Sequence, residues 1–199
     1  MKEALLIFAK NLVPGKVKTR LAATIGNDRA FAVYKQLLHH TAAVTRRLPV
    51  DKLVFYSDFI EEADCWKGAF QKHLQNGASL GERMENAFVV AFNKGYEKVV
   101  IIGTDIPALD EEIIRAAFDA LNQIDVVIGP ANDGGYFLLG MKTNHPGLFH
   151  NIEWSTSAVY SATVSKIKER ELTYHCLPTF TDVDEEKDLY AMLSLQTNQ

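Results

Sequence analysis

Carboxylates in two distant parts of the sequence have the spacing of metal ligands. In KVVIIGTDIPAL, which begins at Lys98, four apolar residues lead through Gly103 to Asp105. Much later, TDVDEEKDL places Asp182 and Asp184 two positions apart, so that in an extended segment both side chains point the same way. Oxygen ligands without histidine or cysteine favour Mg²⁺ or Mn²⁺. We predict a metal site formed by Asp105 with Asp182 or Asp184; the alternative is that Asp184 only caps the following helix.

A basic segment, KNLVPGKVKTRL, follows the first apolar run of the sequence. Its glycine and its cations suit a polyphosphate, because the cations neutralise charge and the next helix offers free N–H groups. It is neither a Walker A loop nor a GxGxxG motif, which disfavours a nicotinamide cofactor. The alternative is a solvated basic loop. The predicted phosphate contacts are Lys10, Lys16, Lys18 and Arg20, of which Lys18 and Arg20 are assigned to catalysis.

Three further stretches contain candidate ligand contacts. NDGGYFLLG is good hairpin chemistry, but its paired glycines also let a ligand approach the backbone closely. SLGER begins a helix and places an arginine where an anion could bind, although a surface ion pair is the more common use of a single arginine. The stretch WST and Gly103, two residues before Asp105, complete the set of candidate contacts. The predicted nucleotide contacts here are Arg83, Gly103, Asp133, Gly134, Gly135, Tyr136 and Ser155.

Length and composition limit the classes of protein. We expect one domain over residues 1–199, with 47% hydrophobic and 23% charged residues, as in a soluble enzyme. The net charge of −4 disfavours a nucleic-acid partner. No apolar run reaches the roughly 18 residues that a membrane span needs. The N-terminal apolar segment, within MKEALLIFAKN, is too short for a signal peptide, so we expect a cytoplasmic protein. Oligomerisation is compatible with the sequence and is left open.

Strand-like and helix-like segments alternate almost throughout. Near-continuous apolar strands separated by helices predict an α/β fold with a mostly parallel sheet covered on both faces. The turn before Tyr136 predicts one antiparallel strand and thus a mixed sheet. Ligands bind beyond the carboxyl ends of such strands, where Lys10, Asp58, Asp105 and Asp133 should emerge. The predicted strands are 3–9, 53–57, 99–103, 125–130, 136–142 and 172–176, and the predicted helices are 27–48, 79–93, 110–122, 156–170 and one from about 184.

Taken in order, these motifs resemble the radical-SAM/selenodomain-associated transferase 1 family, which belongs to the GT-A, or nucleotide-diphospho-sugar transferase, proteins. The resemblance implies a single Rossmann-like GT-A domain that holds a nucleotide over the strand ends, usually with a divalent cation. The matching stretches are FAKNLVPGKVKTRLA, SLGERM, VVIIGTDIPAL, GPANDGGYFLLG, LFHNIEWST and TDVDEEKDL.

A more distant similarity is to guanylyltransferases of molybdenum-cofactor and phospholactate chemistry. There a basic loop follows the first strand, an aspartate ends a central strand and a late acidic residue completes the metal site. The loop departs from the usual LxxGxGxR pattern, since only Gly15 is present. The matching positions are Lys10, Lys18 and Arg20 in the loop, Asp105 in the centre, and Asp182 or Asp184 late in the chain.

The sequence therefore predicts a metal-dependent transferase with a nucleotide donor and a small-molecule acceptor. The leading hypothesis is nucleotidyl transfer from a nucleoside triphosphate to a phosphorylated or carboxylate acceptor, with release of pyrophosphate. The first alternative is a glycosyltransferase that uses a nucleotide-diphospho-sugar. The second, from another class, is a non-catalytic nucleotide-binding protein.

Overall fold

A computed structural model of the chain describes residues 2–190. Seven strands, five α-helices and a short 3₁₀ helix (Pro146–Leu148) are bounded within this range, and residues 186–190 are also helical. No helix in the described range is long and apolar enough to cross a membrane. The strands are β1 (Glu3–Ala9), β2 (Asp51–Tyr56), β3 (Phe70–Leu74), β4 (Lys98–Ile102), β5 (Val126–Pro130), β6 (Tyr136–Met141) and β7 (Tyr174–Cys176); the helices are α1 (Thr19–Ile25), α2 (Asn27–Arg46), α3 (Leu80–Asn93), α4 (Glu111–Ala120) and α5 (Val159–Glu169).

The strands form one mixed sheet in the order β3-β2-β1-β4-β6-β5-β7. All neighbouring strands are parallel except β6, which is antiparallel to both β4 and β5. The β5–β6 hairpin turns at Gly134, whose φ of 89° is accessible mainly to glycine. The carboxylate of Asp133 accepts the N–H of Gly135 at 2.8 Å and stabilises the same turn. The mixed α/β sheet predicted from the sequence is confirmed.

Helices cover both faces of the sheet because successive residues of a strand point to opposite sides. On β1, Leu5 and Ile7 belong to a core that includes residues of α2 and α4. Leu6 belongs to the opposite core, to which α3 contributes Phe88 and α5 contributes Ile167. The two-faced α/β architecture predicted from the buried strands is therefore present.

Strand β3, helix α1 and the short 3₁₀ helix (Pro146–Leu148) were not predicted. Strand β3 reads FQKHL, with little apolar character, because it lies at the sheet edge and only Phe70 is fully buried. Helix α1 directly follows the basic loop and is too short for a clear helical period. Observed boundaries elsewhere differ by a few residues, as helix and strand ends commonly do.

The predicted starts of α3 and α4 are confirmed by their caps. Ser79 Oγ accepts the N–H of Glu82 at 3.2 Å. Asp110 accepts the N–H of Ile113 at 2.8 Å. The carboxylate of Glu82 accepts the N–H of Ala78 at 2.8 Å, one residue earlier than the capping box expected at this position.

Candidate functional site

The carboxyl ends of β1, β2, β4 and β5 lie along one edge of the sheet, where β6 also begins. Three neighbouring cavities open there, and Asp105 lines all three. We name them the cationic cavity, of about 130 Å³, the strand-end cavity, of about 360 Å³, and the aromatic cavity, of about 680 Å³. Asp105 thus stands where the three meet.

The cationic cavity is organised around Lys18. Its ammonium nitrogen lies 2.6 Å from Oδ1 of Asp105 and 2.9 Å from Oδ1 of Asp184, and its side chain is only 5% exposed. Burial alone would lower the pKa of Lys18, but the two carboxylates outweigh burial and raise it. The guanidinium of Arg20 binds the other oxygen of Asp184. Lys18 therefore keeps its positive charge in this cavity, which Lys10 also lines.

The backbone at Lys18 explains why its side chain turns inward. Lys18 precedes α1 with φ 49° and ψ 45°. This left-handed conformation is uncommon for lysine and persists only where the surrounding structure imposes it. Buried Val17 anchors the preceding residue. Lys16 is exposed and lines none of the three cavities, so the structure does not bring it to the other cations.

Hydrogen bonds along the last part of the described chain bring its acidic segment to Asp105. Phe180 extends the edge beyond β5, since its N–H donates to Pro130 O at 3.1 Å. The N–H of Val183 then donates to the carbonyl of Asp105 at 3.0 Å, while the Val183 side chain is fully buried. These contacts position Asp182 and Asp184 on either side of an anchored residue.

The two late aspartates reach different cavities. Asp184 lines the cationic cavity, where Lys18 and Arg20 overcome the effect of burial and lower its pKa. Asp182 lines the aromatic cavity, and burial, followed by the nearby charges of Asp133 and Asp184, raises its pKa to about 6. Both carboxylate oxygens of Asp184 accept from Lys18 and Arg20, and the described structure gives them no bond to a helix N–H. Asp188 accepts the N–H groups of Asp184 and Glu185.

The carboxylates fit a divalent cation that arrives with phosphates. Within residues 2–190, no group of three or more His, Cys, Asp or Glu side chains is placed to hold a metal ion. Mg²⁺ in nucleotide sites is usually held by one or two carboxylates together with substrate phosphate oxygens. Asp105, whose side chain is 42% exposed, and Asp182 both line the aromatic cavity and supply such a pair. The carboxylate oxygens are of the type that Mg²⁺ and Mn²⁺ accept as ligands.

The strand-end cavity contains Lys10, Arg83 and Gly103. A Cβ built on Gly103 meets no atom within 4 Å, so this glycine borders open space. Tyr34 of α2, which the sequence did not single out, accepts the N–H of Lys10 at 2.8 Å and lies 3.3 Å from Thr104 Oγ1. Burial raises the pKa of Tyr34. Its neutral hydroxyl therefore links the loops after β1 and β4. The sequence pattern of α2 gives no sign of this role, because a tyrosine in an apolar helical pattern usually packs in the core.

The aromatic cavity gathers most of the remaining predicted residues. Met84, Ile106 and Phe137 also line it, and no feature of the sequence distinguishes them from ordinary core residues. Gly134 is absent from the lining, since it packs behind the wall against Ser157. The predicted residues in the lining are Arg20, Gly103, Asp105, Asp133, Gly135, Tyr136, Ser155 and Asp182.

Distant structural matches share this fold. The structure of 4-diphosphocytidyl-2C-methyl-D-erythritol synthase from Anaerococcus prevotii DSM 20548 is 10% identical, with a TM-score of 0.63, over 98% of this chain and 96% of that chain. CMP:2-keto-3-deoxy-manno-octonic acid synthetase complexed with CTP is also 10% identical, with a TM-score of 0.59, over 100% and 99% of the two chains. These matches confirm the GT-A-like fold that the sequence predicted.

A much closer structural match comes from Desulfovibrio desulfuricans G20. It is a provisionally assigned nucleotide-diphospho-sugar transferase, 32% identical with a TM-score of 0.87, over 100% of this chain and 96% of that chain. No curated protein matches the sequence. The finer resemblance to the radical-SAM/selenodomain-associated group stays a prediction. Residues 40–156 match the family described as "Uncharacterized protein conserved in bacteria (DUF2064)", and the chain belongs to that family.

Proposed function

We propose that this protein is a transferase with a nucleotide donor, and that it transfers a nucleotidyl group from a nucleoside triphosphate. The observation that carries the proposal is the pairing of opposite charges at the sheet edge. Lys18 pairs with Asp105 and Asp184, and Arg20 pairs with Asp184, at the carboxyl ends of the strands. Asp182 lines the adjoining aromatic cavity together with Asp105 and Arg20. Ligands of open α/β sheets bind at this edge, and the structural matches with nucleotidyltransferases share the fold.

Each charged group has a role in this proposal. Asp105 and Asp182 would hold a divalent cation with the donor phosphates, and that cation would supply charge neutralisation at the reacting phosphate. Lys18 and Arg20 stabilise negative charge on the departing phosphate. Asp184 binds Lys18 and Arg20 and keeps them in the cationic cavity.

The chemistry is a displacement at the α-phosphorus. An acceptor oxygen forms a bond to this phosphorus, the bond between it and the oxygen bridging to the β-phosphate breaks, and pyrophosphate leaves with the electron pair. A phosphate or carboxylate acceptor is already ionised and needs no general base. None of the described residues lining the three cavities is a histidine, which agrees with such an acceptor.

A second candidate is glycosyl transfer, and the similarity to the provisionally assigned nucleotide-diphospho-sugar transferase favours it. The same arrangement of charges would then stabilise a nucleoside diphosphate leaving group, and the acceptor would attack the sugar carbon. The two reactions differ in the product released, so product analysis separates them.

The test begins with a thermal-shift panel of nucleoside triphosphates and nucleotide-sugars, each with Mg²⁺ or Mn²⁺. A donor present at 100 times its Kd stabilises the protein by about 2.7 kcal/mol. The stabilising compound is then incubated with a cell extract as the source of acceptor. Pyrophosphate release supports nucleotidyl transfer, nucleoside diphosphate release supports glycosyl transfer, and binding without either product supports a non-catalytic protein. Absence of stabilisation by every compound contradicts the proposal.

A further inference from the structure

We propose that the aromatic cavity binds the acceptor, and that the acceptor has an uncharged, ring-sized apolar body with its reactive group at one end. This inference rests on the proposed function, because it takes the other two cavities for the donor. Its volume of about 680 Å³ lies in the range of small-molecule sites. It adjoins the strand-end cavity, so ligands in the two would meet beside Asp105, and Trp154 lines the aromatic cavity alone. The residues that line both cavities are Leu80, Met84, Gly103, Asp105, Asp133, Tyr136 and Phe137.

The charges around the aromatic cavity disfavour an anionic acceptor body. Its lining contains the carboxylates of Asp105, Asp133 and Asp182. Among the described residues of that lining, Arg20 is the one cation, and its guanidinium already binds Asp184. A divalent cation shared by two of the carboxylates would neutralise the region near the reacting atoms, which is where an acceptor phosphate or carboxylate would lie. Negative charge on the remainder of the acceptor would find no free cation among the described residues of this cavity and would be repelled by its carboxylates.

The wall away from the carboxylates is apolar and partly uncovered. Leu80, in the first turn of α3, is 44% exposed although it lines the cavity. The rings of Tyr136 and Trp154 lie 6.4 Å apart at 80°, an edge-to-face arrangement that presents two differently oriented aromatic surfaces. Met84 contacts this pair through its sulfur, 3.9 Å from the Tyr136 hydroxyl. A ring placed against Leu80 and Trp154 would remove apolar surface from water.

Two glycines allow the segment that forms this wall to pack closely against its neighbours. A Cβ on Gly81 of α3 would lie 2.4 Å from Nε1 of Trp154. A Cβ on Gly134 would lie 2.2 Å from the carbonyl oxygen of Ser157. The segment from Trp154 to Ser157 is thus packed between α3 and the β5–β6 turn. Within it Ser155 has a φ of 65°, a left-handed conformation that usually persists only where surrounding structure imposes it, as at ligand sites.

Two phosphates that differ only in the ring test the proposal. Binding of phenyl phosphate and methyl phosphate to the full-length protein with Mg²⁺ is measured by isothermal titration calorimetry. We expect phenyl phosphate to bind at least about tenfold more tightly, which is about 1.4 kcal/mol. Trp154→Ala and Leu80→Ala should each reduce this preference to about twofold or less, since each removes part of the apolar wall.

Two control variants locate the effect. Gln75 lines only the strand-end cavity of the three, and Phe59 is an exposed apolar residue outside all three. Gln75→Ala and Phe59→Ala should both keep the tenfold preference. Equal affinity for the two phosphates in the wild type overturns the proposal. So does a preference that survives in Leu80→Ala and Trp154→Ala. Because Trp154 packs in the core, Leu80→Ala decides if Trp154→Ala does not fold.

The nucleotide thermal-shift panel, repeated on Trp154→Ala or, if that variant does not fold, on Val159→Ala, separates this inference from the proposed function, because both residues line only the aromatic cavity of the three. A ring preference without stabilisation by any nucleotide contradicts the proposed function and leaves the cavity assignment standing. Nucleotide stabilisation without a ring preference contradicts the acceptor assignment alone. Loss of nucleotide stabilisation in a folded Trp154→Ala would place the donor in the aromatic cavity and also overturn the assignment.

Discussion

The ammonium nitrogen of Lys18 lies 2.6 Å from Oδ1 of Asp105, the carboxylate that we assign to a divalent cation. The same ammonium lies 2.9 Å from Asp184, so in the free protein one buried side chain serves as the counter-ion of two carboxylates. A metal ion that approaches Asp105 must compete with this internal cation. The protein should therefore bind free metal weakly and acquire it mainly with the donor phosphates.

Replacing Lys18 by glutamine should strengthen direct metal binding. In Lys18→Gln the carboxylates of Asp105 and Asp184 lose their shared cation, so we expect Mn²⁺ to bind without nucleotide at least tenfold more tightly than in the wild type. Asp184 keeps Arg20 as a partner but Asp105 loses its ion pair, so the free energy of unfolding should fall by about 1–3 kcal/mol, and Mn²⁺ should restore it. Electron paramagnetic resonance of free Mn²⁺ and urea unfolding measure the two effects. Lys16→Gln is the matched control and should change neither, whereas equal Mn²⁺ affinity in wild type and Lys18→Gln would show that the ammonium does not compete.

The two late aspartates should affect nucleotide binding differently. Asp182→Asn removes a proposed metal ligand, so it should weaken nucleotide affinity about tenfold in Mg²⁺ and leave affinity in EDTA unchanged. Asp184→Asn loosens Lys18 and Arg20, so it should weaken affinity in both conditions. Calorimetric titration with and without Mg²⁺ checks this. The assignment would be reversed if Asp184→Asn lost only the Mg²⁺-dependent part.

Substitutions at Gly103 and Gly134 should separate an effect on nucleotide affinity from an effect on the stability of the fold. Gly103→Val places methyl groups in open cavity space, so we expect nucleotide affinity to fall at least tenfold with little change in Tm. Gly134→Ala places a Cβ where φ is 89° and the Ser157 carbonyl lies 2.2 Å away. It should cost at least about 1 kcal/mol, or about 2–4 °C in Tm. Differential scanning calorimetry and nucleotide titration compare the two, and a large fall in Tm for Gly103→Val would contradict the open space beside it.

Acid stability should depend on Asp125 at the start of β5. Hydrogen bonds from the Thr173 hydroxyl and N–H, with Lys142 Nζ at 3.1 Å, lower the pKa of Asp125 to about 2. The folded pKa lies below the unfolded value of about 3.9, so the contribution of Asp125 is complete above about pH 4 and disappears as the pH falls towards 2. Asp125→Asn should therefore be about 1–2 kcal/mol less stable than wild type at pH 7. The difference should shrink between pH 4 and 2 in urea unfolding; a constant difference would contradict the lowered pKa.

The sequence predicted the residues whose position depends on strand order alone. Buried apolar runs identify β1 and β4, and the loops after these two strands bring Lys10 and Asp105 to the edge of the sheet where the cavities open. The prediction that Lys16, Lys18 and Arg20 all contact phosphate rested on their closeness in the sequence. Lys18 instead adopts a left-handed conformation ahead of a short helix, and Lys16 stays outside.

The sequence patterns did not predict contacts between segments that lie far apart in the sequence. The bond between Lys18 and Asp184 joins residues 166 positions apart, and it draws Asp184 away from the cavity of Asp182. Tyr34 likewise acts through tertiary contacts with Lys10 and Thr104. Apolar patterning fixes which face of an element is buried, but it carries no information about which polar partner meets it from another segment.

The bond from the Val183 N–H to the Asp105 carbonyl has a consequence for the order of events during synthesis. The parallel strands β1, β2 and β4 leave the ribosome well before residues 182–184. A nascent chain can therefore pair these strands while its charged edge still lacks two carboxylates, leaving Lys18 with half of its counter-ions. Competence to bind donor would arise late in translation, as a separate docking step.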